Sequence, residues 1–328
     1  MKSIAQRIIR TGAAALALAI ACTASVAHAQ AWPTKPVRWI LPSAAGSAPD
    51  VVARLLGDRL STVWGQQVLI DNRPGAAGNI AAVATRNSTP DGYTYFFAQA
   101  STMAVNPFTF KSIPFDPDKD FAGVITIGLS PFMFGLNTAL PITSVPELIA
   151  YAKANPGKLS FATSASRNLS HISGELLKGV AGIDMLHVPY KGSPQAAQDA
   201  ISGQVQIFID SIPTMSAHIQ SGRLRVVGVT SPKRVPGYES IPTFAETLPG
   251  FSAVGWFALL APAATPRDAI NRVNKDINAV LAIPEIAQRM HTLGMFDGGG
   301  TPEGLDSFLR TERAKWQRVI RDAKFELE

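Results

Sequence analysis

From Pro36 almost to the end of the chain, short runs rich in β-branched and aromatic residues alternate with segments whose apolar side chains recur every three or four positions. Alternation of this kind predicts parallel strands covered by helices on both faces. Val37–Leu41 reads as the first strand. Behind it Val51, Val52, Leu55, Leu56 and Leu60 follow helical spacing, with Asp50 placed to cap that helix and Gly65 to end it. A strand over 67–71, a glycine-bearing turn at 73–78, a helix over Asn79–Arg86, a turn at Pro90-Asp91-Gly92 and a strand over 93–98 complete a β-α-β-α-β series.

A second series begins after Pro131. Strands are expected at 132–136, 159–162, 185–188, 205–209 and 225–230, with helices near 170–180, 194–202 and 214–220. Ser144-Val145-Pro146-Glu147 carries a capping-box pattern with Pro in the first turn. A Pro-rich stretch from 232 to 249 reads as a surface connection, 256–261 as a buried strand, and three helices close the chain, two of them opened by Thr265-Pro266 and Thr301-Pro302. This is more than one sheet comfortably holds, and single cores of this size tend to split. The expected form is α/β with two lobes, each a mostly parallel sheet flanked by helices. The last helix carries Leu305, Phe308, Leu309, Trp316, Val319 and Ile320 on one stripe and needs a sheet to cover. Returning it to the first lobe requires two hinge crossovers, so lobe 1 is expected over 30–130 and 255–328, and lobe 2 over 131–254.

Composition changes the picture mainly at the N-terminus. Lys2, Arg7 and Arg10 precede an apolar run from Gly12 to Cys22 and then Ala27-His28-Ala29, the pattern of a secretory signal peptide over 1–29, cut after Ala29, which implies a periplasmic protein. Lipidation at Cys22 is the rival reading, and Ala19 stands where a lipoprotein signal carries Leu. Cys22 is the chain's single cysteine, so the processed protein must be held by its core and not by disulfides. Three charges of the formal net +6 lie in the leader, and the basic segment containing Arg223, Arg225, Lys233 and Arg234 has no interleaved aromatics, so nucleic acid is not an expected partner. No apolar stretch after the leader is long enough to span a bilayer.

Open α/β sheets bind ligands beyond the carboxyl ends of their strands, where helix N-termini present unpaired N–H groups. In the first lobe that rule selects Ser43, Ala44, Ala45, Gly46, Ser47, Ala48 and Asp50, then Gly75, Ala76, Ala77 and Gly78, then Gln99, Ser101 and Thr102. In the second it selects Thr163, Ser164, Ser166, Arg167, Asn168 and Ser170, the turn Tyr190-Lys191-Gly192-Ser193, and Asp210. These residues are small, hydroxylated or beside glycine, which suits backbone capture of an anion. Catalytic readings find little. His171, His187, His218 and His291 form no HExxH pattern, no G-x-S-x-G elbow is present, and Ser170 and His171 are neighbours at a helix start whose side chains diverge. The 75–78 turn lacks the Lys-Ser/Thr ending of a phosphate loop. No enzyme activity, metal or cofactor is expected.

Several segments together resemble the Bug family, the periplasmic receptors of tripartite tricarboxylate transporters. They include Trp32-Pro33-Thr34-Lys35-Pro36-Val37-Arg38, Asp50-Val51-Val52-Ala53-Arg54-Leu55-Leu56, Asp71-Asn72-Arg73-Pro74-Gly75-Ala76-Ala77-Gly78-Asn79-Ile80, Pro90-Asp91-Gly92-Tyr93-Thr94, His187-Val188-Pro189-Tyr190-Lys191-Gly192-Ser193 and Gly203-Gln204-Val205-Gln206. The resemblance implies a two-lobed periplasmic binding protein of type II-like form that is not an enzyme. It would act as a monomer, holding a dicarboxylate, amino acid or aromatic acid in the interlobe cleft for uptake, through backbone N–H groups and bridging waters of the loops named above. Its partners would be the membrane subunits of such a transporter or, alternatively, a membrane sensor kinase. Where the family reads Pro-Phe-x-x-Gly-Gly-x-x-Asp, this chain has Pro42-Ser43-Ala44-Ala45-Gly46-Ser47-Ala48-Pro49-Asp50, without the aromatic and one glycine. Arg167 offers a planar fork suited to a second carboxylate.

Overall fold

In the computed structural model, residues 32–164, 166 and 168–322 are described. The expected leader over 1–29 and Arg167 lie outside them. The first unit runs β1 (Val37–Leu41), α1 (Ala48–Trp64), β2 (Val68–Asn72), a 3-10 turn (Ala76–Gly78), α2 (Asn79–Arg86) and β3 (Thr94–Gln99), then a π turn (Ser101–Val105) that leads into α3 (Asn106–Thr109). The next strand, β4, spans Phe121–Asn137 and begins well before the expected 132–136. There follow α4 (Val145–Ala154), β5 (Ser160–Thr163), α5 (Leu169–Ala181), β6 (Leu186–Pro189), α6 (Ser193–Ser202), β7 (Ile207–Ser211), α7 (Ile212–Gln220) and β8 (Leu224–Val229). After the Pro-rich connection come β9 (Val254–Pro262), α8 (Arg267–Leu281), α9 (Pro284–Thr292) and α10 (Pro302–Asp322).

Two sheets share one strand. The first has the order β2-β1-β3-β9-β4, with β1, β2 and β3 parallel and β9 antiparallel to both β3 and β4. Beyond Pro131 the same β4 pairs with β8 on one side and β7 on the other, both antiparallel, and β7-β5-β6 continue as a parallel set. The parallel character expected of each lobe thus resides in β2-β1-β3 and β7-β5-β6. At the junction Phe132 N–H donates to Thr230 Oγ1 at 2.8 Å, while Thr230 N–H donates to Phe132 O and Ala253 N–H to Thr230 O, each at 3.0 Å. Thr230 is fully buried. It joins the strand leaving the first sheet to the segment returning to it.

Because successive side chains of a strand point to opposite faces, β1 and β3 divide their apolar residues between two cores. Val37, Trp39, Leu41, Tyr95 and Phe97 pack with Val52, Leu56 and Leu60 of α1 and Ile270, Val273 and Ile277 of α8. Ile40, Phe96 and Ala98 face the other way, with Leu305, Leu309 and Trp316 of α10, and that core continues without a break into Phe134, Phe161 and Ile172 of the second sheet. On this face Glu312 Oε2 accepts from the indole N–H of both Trp256 and Trp316 at 3.1 Å. The first face has no such continuity: Met133, Phe208, Ile212 and Met215 form a separate cluster.

Two expectations about helix ends are corrected. Asp50 does not cap α1; it lies in the first turn, Ser47 is the N-cap residue, and its side chain makes no capping bond. Pro49, following Ala48, lacks the N–H that would otherwise seek an acceptor there. At α4 the Ser144 hydroxyl accepts from Glu147 N–H, but the Glu147 carboxylate reaches one residue further back, to Thr143 N–H at 2.7 Å. Thr230→Val keeps the side-chain volume and removes the acceptor for a buried N–H. It should lower the unfolding free energy by about 1–3 kcal/mol, and a urea midpoint equal to that of the parent protein would show that Thr230 does not secure the junction.

Candidate functional site

Strand register brings two sets of loops to one place. In the first sheet Gln99, the last residue of β3, stands level with Phe257, which in turn pairs with Gly128 of β4. In the second sheet the end of β7 is level with the start of that part of β4, Asp210 opposite Met133 and Ser211 opposite Phe132. The carboxyl ends of both parallel sets therefore open toward the junction, separated along β4 by the step from Gly128 to Met133, roughly 17 Å at about 3.3 Å per residue.

The first-lobe loops are locked together by polar contacts. Asp50 is buried, with 2% exposure. Its carboxylate accepts from Gly46 N–H at 2.8 Å, Arg54 Nε at 3.0 Å and Asn72 Nδ2 at 3.0 Å. Burial alone would raise this carboxyl; the hydrogen bonds from Arg54, Gly46 and Asn72 outweigh it and hold the group below the ordinary carboxylate range. Asn72 Nδ2 also donates to Ser43 O at 3.0 Å, and Ser47 Oγ to Ala44 O at 2.6 Å. Asp50 thus shapes the loop, and its own charge is neutralised by Arg54.

The second loop is a run of left-handed residues. Gly75, Ala76, Ala77 and Gly78 have φ of 124°, 45°, 50° and 95°. For the two alanines this costs on the order of 1–3 kcal/mol each. Their neighbours hold them there: Ala77 O accepts from Thr102 Oγ1 at 3.1 Å and Asn106 Nδ2 at 3.0 Å. A Cβ on Gly78 would lie 2.3 Å from Thr102 Oγ1 and 2.8 Å from Pro42 Cβ, so only glycine lets the three loops meet. Ser101 begins the π turn, an irregular geometry found often at functional sites. Two buried polar atoms here, Ser43 Oγ and Gln99 Nε2, have no hydrogen-bond partner among the described residues. Buried polar groups are otherwise almost always paired.

The second-lobe set is knitted in the same way. Asn168 caps α5, its Oδ1 accepting from His171 N–H and Ser170 Oγ at 2.9 Å each, while its Nδ2 donates to Ser164 Oγ at 3.0 Å. Gly192 N–H donates to Ser164 O at 3.0 Å. Asp210, also buried, accepts from Ser193 Oγ at 2.6 Å and Ser211 N–H at 2.7 Å. Ser166 is exposed. The Ser170 hydroxyl donates to Asn168 and not to an imidazole.

One feature of this wall left no mark in the sequence pattern, because its members are far apart in the chain. The rings of His171 and His187 stack with centroids 3.5 Å apart and 10° between planes. His187 Nε2 lies 2.8 Å from the hydroxyl of Thr163 at the end of β5. Burial, then the nearby Lys178 charge, lowers His187 to about 4.

The sequence pattern of the tripartite tricarboxylate transporter receptors, TctC, matches residues 52–325. The chain belongs to this family. Members of the family are periplasmic solute-binding receptors and not enzymes. The receptor is 33% identical to Protein BugT of Bordetella pertussis over 313 residues, 95% of this chain and 96% of that one. Its fold is similar to that of R. palustris Rpa4515 with adipate, at TM-score 0.77 and 34% identity over 90% of this chain and all of that one. It is also similar to MatC from Rhodopseudomonas palustris with bound malate, at TM-score 0.70 and 26% identity over 88% of this chain and all of that one. The two-lobed form expected from the strand and helix pattern is the form of these neighbours. None of the receptor's described helices is long and apolar enough to cross a membrane.

His187 stays neutral in the folded receptor down to about pH 4, whereas its unfolded counterpart takes up a proton near 6.5. The unfolded state therefore binds more protons between those values, and stability falls as pH drops through that window. Urea denaturation from pH 7 to pH 4 should show this decline, and His187→Asn should flatten it. Parallel profiles for the two proteins would refute the assignment.

Proposed function

We propose that this receptor captures a small carboxylate between the two loop sets and delivers it from the periplasm to the membrane subunits of a tripartite transporter. The observation that carries the reading is the register of β4, which turns the carboxyl ends of both parallel strand sets toward the same junction. In the first lobe the bonds that close the turns are donated by Gly46, Ser47 and Gly78. In this reading the N–H groups of Ala44, Ala45, Ala76 and Ala77, which belong to exposed residues, serve the ligand carboxylate, directly or through water, which suits one scaffold to varied acids. Ser43 Oγ, Gln99 Nε2 and the hydroxyls of Ser101 and Thr102 complete this wall. Thr163, Ser164, Ser166, Asn168, Ser170 and Asp210 form the opposing one, and Arg167 meets a second carboxylate. Adipate and malate in the similar proteins favour a dicarboxylate.

In this reading residues 1–29 are removed on export, lobe 1 comprises 30–130 and 255–328, lobe 2 comprises 131–254, and the working form is a monomer.

A thermal-shift panel tests the proposal on refolded protein, since copurified ligand would mask a response. The panel holds adipate, malate, succinate, citrate, glutamate and benzoate. A ligand at about 100 times its Kd should add roughly 2.7 kcal/mol of stability, seen as a rise of a few degrees in Tm. No response to any carboxylate would refute capture. Arg167→Ala should weaken the best dicarboxylate at least tenfold by calorimetry while sparing monocarboxylates, and unchanged affinity would remove Arg167 from the site.

A further inference from the structure

The segment between α9 and α10 fastens the two sheets at a third point. Phe296 N–H and C=O both bond to Leu129 of β4, at 2.9 and 2.7 Å, and Gly299 N–H donates to Thr126 O at 2.8 Å. All of this lies on the part of β4 that belongs to the first sheet. The side chains then diverge. Met295 is buried in the first-sheet core beside α1 and α8, and Gly128 leaves it room, since a Cβ there would come within 3.1 Å of Met295 Cε. Phe296, next in sequence and 5% exposed, belongs to the second-sheet cluster with Met133, Phe208 and Ile212, and the ring of His291 stacks on it at 5.1 Å. Gly294 presses so closely on the start of α7 that a Cβ would stand 2.6 Å from Pro213 Cδ.

The location matters. On the α10 face one continuous core already spans both sheets; on the opposite face the cores are separate, and Met295 and Phe296 are consecutive residues set one in each. Two strand crossings alone would let the sheets flex about the β4 junction. A peg on the face that lacks a common core restrains that bending.

We infer that Phe296 is a positioning residue for ligand capture: seated in the second lobe while its backbone is bonded to the first, it fixes the angle at which the two loop sets face each other. A receptor held near its capture geometry loses less conformational freedom on closing, so loosening the peg weakens binding without touching ligand.

The structural part of the test needs no ligand. Residues 30–328 contain no cysteine, so Arg59→Cys on α1 and Lys153→Cys on α4, both exposed, accept spin labels that report the distance between the sheets. Phe296→Ala should broaden the distance distribution, and Phe296→Leu should restore most of its sharpness. In adipate titrations, used here on the strength of the capture reading above, Phe296→Ala should bind about tenfold more weakly. A folded Phe296→Ala with a distribution superimposable on its parent overturns the inference. Should Phe296→Ala fail to fold, Gly294→Ala decides by driving a methyl toward Pro213: a displaced mean distance supports the peg, and an unchanged mean rejects it. A broadened distribution with no adipate binding by any variant, the parent included, upholds the peg and counts against adipate as the ligand.

Discussion

A strand that passes from one sheet into another must keep its backbone groups paired on both sides of the passage, and every other feature of this receptor is arranged around that requirement. β4 meets it by changing neighbours at Pro131 and Phe132, giving up β9 and taking β7 and β8. Proline suits the position at which the partner changes, because it brings no N–H to be satisfied. Thr230 supplies what the ladder lacks there, a hydroxyl for one side and a peptide unit for the other. With the passage fixed, strand direction decides where carboxyl ends point, and hence where the cleft lies.

The loops at that cleft are built so that side-chain charge is spent internally. Asp50 is consumed by Gly46, Arg54 and Asn72, and Asp210 by Ser193 and Ser211. What remains facing outward in the first lobe is peptide backbone held in left-handed turns at Gly46 and along Gly75 to Gly78. Such a surface attracts anions through oriented dipoles and exerts little preference over the rest of the molecule. Deeper in these loops the Ser43 hydroxyl and the Gln99 amide nitrogen are buried without a hydrogen-bond partner among the described residues.

Much of this was legible in the sequence because local pattern and tertiary role agree. β1, α2 and the glycine-led turns stand where periodicity and turn chemistry put them. The first half of β4 was not legible, because two register shifts, between Gly123 and Ile125 and between Thr126 and Gly128, break the alternation that identifies a strand. Asp50 was misplaced as a cap because its carboxylate reaches back to Gly46, four residues earlier, and Ser47, the actual cap residue, turns its hydroxyl to Ala44 O and makes no capping bond. The candidate loops announced themselves through small residues beside glycine. The stacked pair His171 and His187 did not, since His171 is on α5 and His187 on β6, and they meet only where both rings pack against Phe161 of β5.

The position of β9 between β3 and β4 sets an order of assembly. All strands of the second sheet lie within residues 132–229, so that sheet can form as soon as its own length of chain is available. The first sheet stays divided into β2-β1-β3 and a lone β4 edge until residues 254–262 arrive to fill the gap. Contacts that span so much sequence form slowly, because the intervening chain must be ordered before they are rewarded. The lobe that begins the chain is therefore the lobe completed last, and until then its two halves expose unpaired strand edges.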